Sequence, residues 1–502
     1  MSTLPLRRLD ALLEGLGARD PVPPLDVPGI GTDSRTLRPG EVFLACAGVA
    51  GHGLDHLPAA RAAGAAAVVW EPDARHTTAP EGLPAVALPG LAGLVGEIGA
   101  RFHGRPAEDL RVVGITGTDG KSSCSHFLAQ ALARAGVRCG IIGTLGYGIS
   151  PDALEPASHT TPDALRVQGL LAAFRGAGCG AVSMEVSSHA LDQGRVAGVR
   201  FTGAVLTNLG RDHLDYHGDQ EAYGAAKARL FRTPEPAWQV LNHDDPFGRR
   251  LLARGQGRAL AYGLQRPAAG APEGVWGERR SAAADGMELR VHTPWGSRPL
   301  RLPLLGAFNA SNALAVLAAL LLMDVPLDEA VAGLEALRPV PGRMERFGRP
   351  GLTPMVVVDY AHTPQALEQA LAALRAHCTG RLWCVFGCGG DRDRGKRPLM
   401  AAAAEAGADQ VVVTDDNPRS EDPARIRADI LAGFAAPERV RVEPDRGRAI
   451  AGAFAAAAPG DVILVAGKGH EEWQQVGDRR LEWSDRAEAR RLVGAAAGRG
   501  VA

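Results

Sequence analysis

Residues 111 to 123, Arg-Val-Val-Gly-Ile-Thr-Gly-Thr-Asp-Gly-Lys-Ser-Ser, constrain the fold more than any other stretch. An apolar run breaks there into a glycine-rich turn and at once into helical sequence. Val112, Val113 and Ile115 suit a buried strand, Gly117 and Gly120 permit a tight turn, and the run from Ser122 to Arg134 has helical character. Such a loop sets backbone N–H groups at a helix N-terminus, with Lys121 as a point charge and Ser122 as a hydroxyl for Mg2+, which is the chemistry of a phosphate cradle. The glycine expected five residues before Gly120 is Ile115, so on these residues alone an ordinary strand-turn-helix corner stays open.

The same strand-then-helix pattern repeats along the chain, which predicts an α/β protein. At 502 residues the length exceeds a single core, and domains of about 100 to 200 residues make three the expected number. Residues 1–91 form a small N-terminal α/β domain with apolar runs at 42–45, 67–70 and 85–88. Its polar clusters Thr32 to Arg35 and Gly51 to Gly53 read first as turns. Residues 92–341 form a central P-loop-type domain with a mostly parallel sheet, its strands expected at 111–116, 138–142, 181–186, 201–209 and 237–242, and short antiparallel strands between 258 and 303. Residues 342–502 form a Rossmann-like C-terminal domain with apolar runs at 355–358, 382–386, 411–413 and 461–466.

In such sheets ligands gather at the carboxyl ends of the strands. Polar clusters stand at those ends in the central domain: Glu185 in Ser183 to His189, where a carboxylate suits Mg2+, and the His- and Asp-rich run from Asn208 to Gly218. Asn309 or Ser311, opening a long apolar helix, reads first as a helix cap. In the last domain four runs end in Asp359 to Pro364, Gly387 to Arg397, Asp415 to Arg419 and Gly467 to Glu471. Four clusters at equivalent strand ends imply one lined pocket.

Formal net charge is −1, so no basic field points to nucleic acid, and no apolar run reaches the ~18 to 20 residues of a membrane span. The N-terminal sequence lacks the apolar segment of a signal peptide, which places the expected location in the cytoplasm. The seven scattered cysteines read as free thiols. Lysine is more informative. Of 55 basic residues only Lys121, Lys227, Lys396 and Lys468 are lysine, so each is a candidate for work that needs a compact ammonium or an amine.

Taken together, Gly117 to Ser122, the Glu185 segment, Asn208 to Gly218, Asn309 and Asn312, Gly342-Arg343 and Asp359 to Pro364 resemble the Mur ligases, ATP-dependent enzymes that build the peptidoglycan stem peptide. The likeness runs over essentially the whole length. Asp416-Asn417-Pro418-Arg419 is similar to the motif by which members adding meso-2,6-diaminopimelate recognise that amino acid. The family loop usually reads Gly-Thr-Asn-Gly-Lys-Thr-Thr, so Asp119, Ser122 and Ser123 depart from it.

The resemblance implies a cell-wall ligase that phosphorylates the D-glutamate side-chain carboxylate of UDP-N-acetylmuramoyl-L-alanyl-D-glutamate with ATP. The diaminopimelate amine then attacks the acyl phosphate. It implies an ATP site of Gly117, Thr118, Asp119, Gly120, Lys121, Ser122, Ser123, Asn309, Arg343 and Asp359. It implies Mg2+ held by Ser122, Glu185, His213 and Lys227, the last as a carbamate. Ser34, Thr160, Thr161, Ser187, Gln193 and Arg195 would meet the nucleotide-sugar dipeptide. Arg392, Asp416, Asn417, Pro418, Arg419, Gly467 and Glu471 would meet diaminopimelate, with Arg419 offering a planar fork to the distal carboxylate and Glu471 receiving the ammonium. The expected protein is a monomer. A lysine-adding relative, a folylpolyglutamate synthetase and a nucleotide-gated binding protein are the competing readings.

Overall fold

A computed structural model describes residues 6–48, 51–232, 236–255, 257–267 and 273–499; residues 1–5, on which the leader reading partly rests, lie outside these. The chain divides into two compact units, residues up to 125 with 132 to 260, and residues 126 to 131 with 261 onwards.

In the first unit a small parallel sheet runs in the order Ile30–Gly31, Val42–Ala45, Ala67–Trp70 and Ala85–Ala87. Its two middle strands are buried at every position, as a sheet covered on both faces requires. The larger sheet has a parallel centre in the order Cys139–Gly143, Ala181–Glu185, Arg111–Thr116, Gly203–Leu206 and Trp238–Asn242. A hairpin strand, Gly146–Ser150, folds back antiparallel on the first of these. The strand predicted at 201–209 spans Gly203–Leu206; the Thr207 N–H makes a last bond to the Thr116 carbonyl at 2.9 Å, and its hydroxyl turns to the carbonyl of Asp119, 2.6 Å away.

The second unit contains the antiparallel meander Gly274–Ala283, Gly286–Thr293 and Gly296–Leu302. The helix Ala307–Leu322 is buried from Ala313 to Leu322 without interruption, so it has no solvent stripe. A second sheet in this unit runs Glu345–Phe347, Met355–Asp359, Val462–Ala466, Leu382–Phe386, Gln410–Val413 and Arg441–Val442, parallel except for its first pair. The carboxyl ends of four of these strands carry the four polar clusters expected from the sequence. The hairpin Trp473–Val476 with Arg479–Glu482, only its second strand exposed throughout, was not expected.

All seven cysteines are free, five of them buried, and no helix among the described residues is long and apolar enough to cross a membrane. The cluster Thr32 to Arg35 is a turn closed by Asp33, whose carboxylate accepts the backbone N–H of Arg35 at 2.9 Å. His52 opens a short 3-10 helix by accepting the N–H of Leu54.

Candidate functional site

The first cluster is built at the carboxyl end of Arg111–Thr116. Gly117 has φ +154°, and a Cβ there would lie 1.8 Å from the Thr207 hydroxyl, so only glycine fits. The loop is tied across the sheet: Thr118 N–H donates to the Asn208 carbonyl at 3.0 Å, and Asp119 N–H donates to Asn208 Oδ1 at 3.0 Å. The Asp119 side chain is exposed, which makes its backbone the part that shapes the loop. Lys121 curls over the turn, its Nζ donating to the carbonyls of Gly117 at 2.9 Å and Thr118 at 2.8 Å.

Glu185 lies one strand away and is 0% exposed. It accepts three hydrogen bonds, from the Ser122 hydroxyl at 3.0 Å, the Thr144 N–H at 2.9 Å and the Thr144 hydroxyl at 3.0 Å. Thr144 continues the chain to Thr160 at 3.0 Å, while Thr161 donates to the Glu185 carbonyl at 2.9 Å and its own carbonyl accepts from Arg195 Nη1 at 3.0 Å. Arg195 also pairs with the Gln193 side-chain oxygen, and the Ser187 N–H donates to the Thr161 hydroxyl. Thr160, Thr161, Ser187, Gln193 and Arg195 therefore form one network with Glu185. No described hydrogen bond joins Ser34 to that network; it sits buried in the turn of the small sheet.

Lys227 is 1% exposed, and its Nζ donates to the Gly117 carbonyl at 2.8 Å while lying 4.4 Å from the centre of the Tyr223 ring. One carbonyl thus receives two lysines. Burial first, and then the Lys121 ammonium, push the Lys227 pKa far below its ordinary range, with Asp212 and Asp119 opposing only in part. His213 has φ +54° and packs its ring 4.7 Å from His189 and 6.2 Å from Tyr223.

The buried Ser122 hydroxyl and Glu185 carboxylate, with the half-buried Thr144 hydroxyl, form a hard donor set that fits Mg2+. Sequence reasoning missed Thr144 and Tyr223. Thr144 stands directly after the buried strand Cys139–Gly143, the same signal that marked the other clusters.

In the second unit the expected capping by Asn309 or Ser311 does not occur. Gly306 occupies the cap without a side-chain bond, and Asn309 Nδ2 instead donates to the Leu305 carbonyl at 2.9 Å. Arg343 lays its guanidinium 4.6 Å from the Tyr360 ring centre, and its buried Nε has no hydrogen-bond partner among the described residues. Asp359 accepts the N–H groups of Met344 and Ala361.

The four strand-end clusters are joined by hydrogen bonds into one site. Lys396 Nζ donates to the His362 carbonyl at 2.8 Å, Gly467 N–H to the Asp359 carbonyl at 3.1 Å, Arg419 Nη1 to the Gly390 carbonyl at 2.7 Å, and Asn417 Nδ2 to Glu471 Oε2 at 2.9 Å. Arg419 has φ +54°, held by backbone bonds to Gln475 and Gly477 of the unforeseen hairpin. Among the described residues neither Arg392 nor Arg419 makes an ion pair with a carboxylate. Asp416 is buried, which raises its pKa, with Arg446 and Lys468 acting against that rise. Gly467 is confined to glycine, since a Cβ would lie 2.5 Å from Asp416 Oδ2. Pro418 places its carbonyl against Gly390, where a Cβ would come within 1.9 Å.

Three family models match the chain: Mur ligase family, catalytic domain, over residues 26–104; Mur ligase middle domain over 115–320; and Mur ligase, glutamate ligase domain, over 342–469. A protein of Alkalilimnicola ehrlichii named UDP-N-acetylmuramoyl-L-alanyl-D-glutamate--2,6-diaminopimelate ligase is 56% identical over 473 residues, covering 92% of this chain and 93% of that one. A protein of the same name from Ectopseudomonas mendocina is 52% identical over 464 residues, covering 92% and 94%. A solved structure of a ligase of that name superposes with a TM-score of 0.75 at 35% identity, covering 98% of this chain and 99% of that one.

Proposed function

The chain belongs to the Mur ligase family, and from that premise we propose that it joins 2,6-diaminopimelate to UDP-N-acetylmuramoyl-L-alanyl-D-glutamate with cleavage of ATP to ADP and phosphate, in the synthesis of peptidoglycan precursors. The observation that carries the choice of amino acid is the pairing of the Arg419 fork, which among the described residues makes no ion pair with a carboxylate, with Glu471, tied to the same motif through Asn417. Diaminopimelate ends in a carboxylate and an ammonium, and that pair of groups matches both. L-Lysine has no distal carboxylate to bring to the guanidinium, a loss that can give discrimination of ~10⁴.

The reaction needs two anions brought together in line and shielded from water. Residues Gly117 to Ser123 hold the phosphates of ATP, with Lys121 released from its own loop carbonyls onto the β and γ oxygens. Asn309, Arg343 and Asp359 meet the rest of the nucleotide; the buried Arg343 Nε without a partner supports this. The D-glutamate carboxylate takes the γ-phosphoryl group, the diaminopimelate amine attacks the acyl phosphate, and phosphate leaves.

Ser122, Glu185, His213 and Lys227 as its carbamate are the residues that would hold Mg2+. When bound, that ion neutralises charge on the meeting anions. Lys227 suits the modification because two ammonium groups on the Gly117 carbonyl repel, which favours a neutral amine able to add to CO2 with loss of a proton. Ser34, Thr160, Thr161, Ser187, Gln193 and Arg195 take the nucleotide-sugar dipeptide. Residues 1–91, 92–341 and 342–502 accordingly serve the sugar nucleotide, ATP and the amino acid in a monomeric cytoplasmic enzyme.

The test is ADP release with UDP-N-acetylmuramoyl-L-alanyl-D-glutamate and a panel of diamino acids. Turnover is expected with meso-diaminopimelate and scarcely with L-lysine. Equal rates with the two would remove the argument from Arg419, and turnover without any amine would favour a nucleotide switch.

A further inference from the structure

Lys468 is one of only four lysines, is 0% exposed, and has no part in the reading above. Its Nζ donates to Asn417 Oδ1 at 2.9 Å and to Glu471 Oε2 at 3.2 Å, and it lies 3.8 Å from Asp416 Oδ1. Asn417 Nδ2 donates to the same Oε2 at 2.9 Å, so two donors converge on one carboxylate oxygen. Glu471 Oε1 has no hydrogen bond among the described residues. A carboxylate gripped in this way presents a single oxygen in a fixed direction.

The neighbours of Lys468 extend the grip. Asn417 Oδ1 also accepts the Gln475 N–H at 3.0 Å, and Gln474 Nε2 donates to the Asp416 carbonyl at 2.6 Å. The hairpin that carries these glutamines also holds Arg419 in its left-handed conformation. A tetrahedral ammonium on a flexible stem reaches both acceptors from within the closed interior; a planar guanidinium is bulkier and would have to displace Asn417 or Glu471.

We propose that Lys468 is the positioning residue of the amino-acid pocket. It clamps Asn417 and Glu471 so that Glu471 Oε1 faces the distal ammonium of the incoming amino acid, and it balances the charge of Asp416 and Glu471 so that the pocket accepts a distal carboxylate as well. The proposal rests on the reading of Arg419 and Glu471 as contacts to diaminopimelate.

The test is a double-mutant cycle in the full-length enzyme with Lys468→Met and Glu471→Gln. Lys468→Met is expected to raise the KM for meso-diaminopimelate about tenfold to a hundredfold, the range for losing a charge-assisted hydrogen bond, with the KM values of ATP and the sugar nucleotide within about twofold. The double variant is expected to be no worse than Glu471→Gln alone. A diaminopimelate KM unchanged in Lys468→Met, or effects that simply add, would overturn the proposal. If Glu471→Gln and Arg419→Ala also leave that KM unchanged, the reading of the pocket itself fails instead. Lys468→Gln, which keeps a donor without the charge, is expected to fall between wild type and Met. Should neither variant fold, isotopic labelling of the four lysines in the unaltered chain gives the answer. The buried ammonium signal is expected to move on saturation with meso-diaminopimelate and not with ATP, and a signal indifferent to the amino acid would refute the clamp.

Discussion

Replacing Glu185 by glutamine separates charge from packing at the centre of the phosphate site. The carboxylate accepts from one backbone N–H and two hydroxyls. If the amide oxygen keeps the Thr144 N–H, the new NH2 faces only the hydroxyls of Ser122 and Thr144, and each can rotate to accept. Only the Ser122 hydroxyl proton loses its acceptor, so the fold is expected to lose about 1 kcal/mol. Alanine behaves differently, because it leaves the Thr144 N–H unpaired at about 1–3 kcal/mol and opens a void beside it. In a thermal melt the Ala variant should fall by several degrees more than the Gln variant, at roughly 2–4 °C per kcal/mol.

Activity should not follow stability. Glu185→Gln removes the negative charge that the proposed function offers to Mg2+ while keeping the geometry, and a drop in kcat of about a hundredfold to a thousandfold is expected, the scale on which a lost electrostatic contact acts. The assay is ADP release across a magnesium titration, with part of the loss recovered at high magnesium. A Gln variant within about threefold of wild-type turnover, or one as unstable as the Ala variant, would refute the role assigned to this carboxylate.

Lys227→Arg keeps a cation but cannot form a carbamate, so it should lose most activity at ordinary magnesium, and wild-type turnover should fall when CO2 and bicarbonate are removed; near wild-type rates in either case would end that proposal. Gly117→Ala sets a Cβ 1.8 Å from the Thr207 hydroxyl at φ +154°, and a stability loss above about 2 kcal/mol together with lost ATP binding is expected in denaturant and titration experiments. His470 titrates at about 4 because burial and the Arg343 guanidinium disfavour its cation. The native state then binds fewer protons than the unfolded chain, so stability is full above the ordinary histidine range and is lost as pH falls from about 6.5 to 4, by roughly 3 kcal/mol. His470→Asn should flatten that part of a Tm against pH profile, and an unchanged slope would refute it.

The parallel strands were legible because a strand covered on both faces must be a continuous apolar run. Val462–Ala466 and Leu382–Phe386 are buried throughout and stand out in the sequence for that reason. The polar residues after them were legible as a site because strand ends in such sheets converge. What the sequence hid lies where local pattern carries no signal. The Arg479–Glu482 strand is exposed along its length and shows no alternation, so the hairpin that fixes Arg419 left no trace. The left-handed backbone of Arg419 is equally silent, since a non-glycine residue takes that conformation only when its surroundings impose it. Asn309 shows the reverse error: its residue type favours a cap, but the helix begins at a glycine, and the amide is spent on Leu305 instead.

Composition proved sharper than pattern in one respect. All four lysines place Nζ on oxygen acceptors inside or beside the two candidate sites: Lys121 and Lys227 on the Gly117 carbonyl, Lys396 on that of His362, and Lys468 on Asn417 and Glu471. Arginine, by contrast, fills the surface pairs such as Arg298 with Asp328 and Arg375 with Asp409, and also the buried bidentate pair of Arg446 with Asp485. A guanidinium satisfies a carboxylate through its fork and stays charged, so it serves wherever a permanent cation meets an anion. It cannot direct a compact charge at a turn carbonyl, and it cannot give up its proton to become a nucleophile. Scarcity marked all four lysines as candidates, and each one places its ammonium on oxygen acceptors where a compact donor fits.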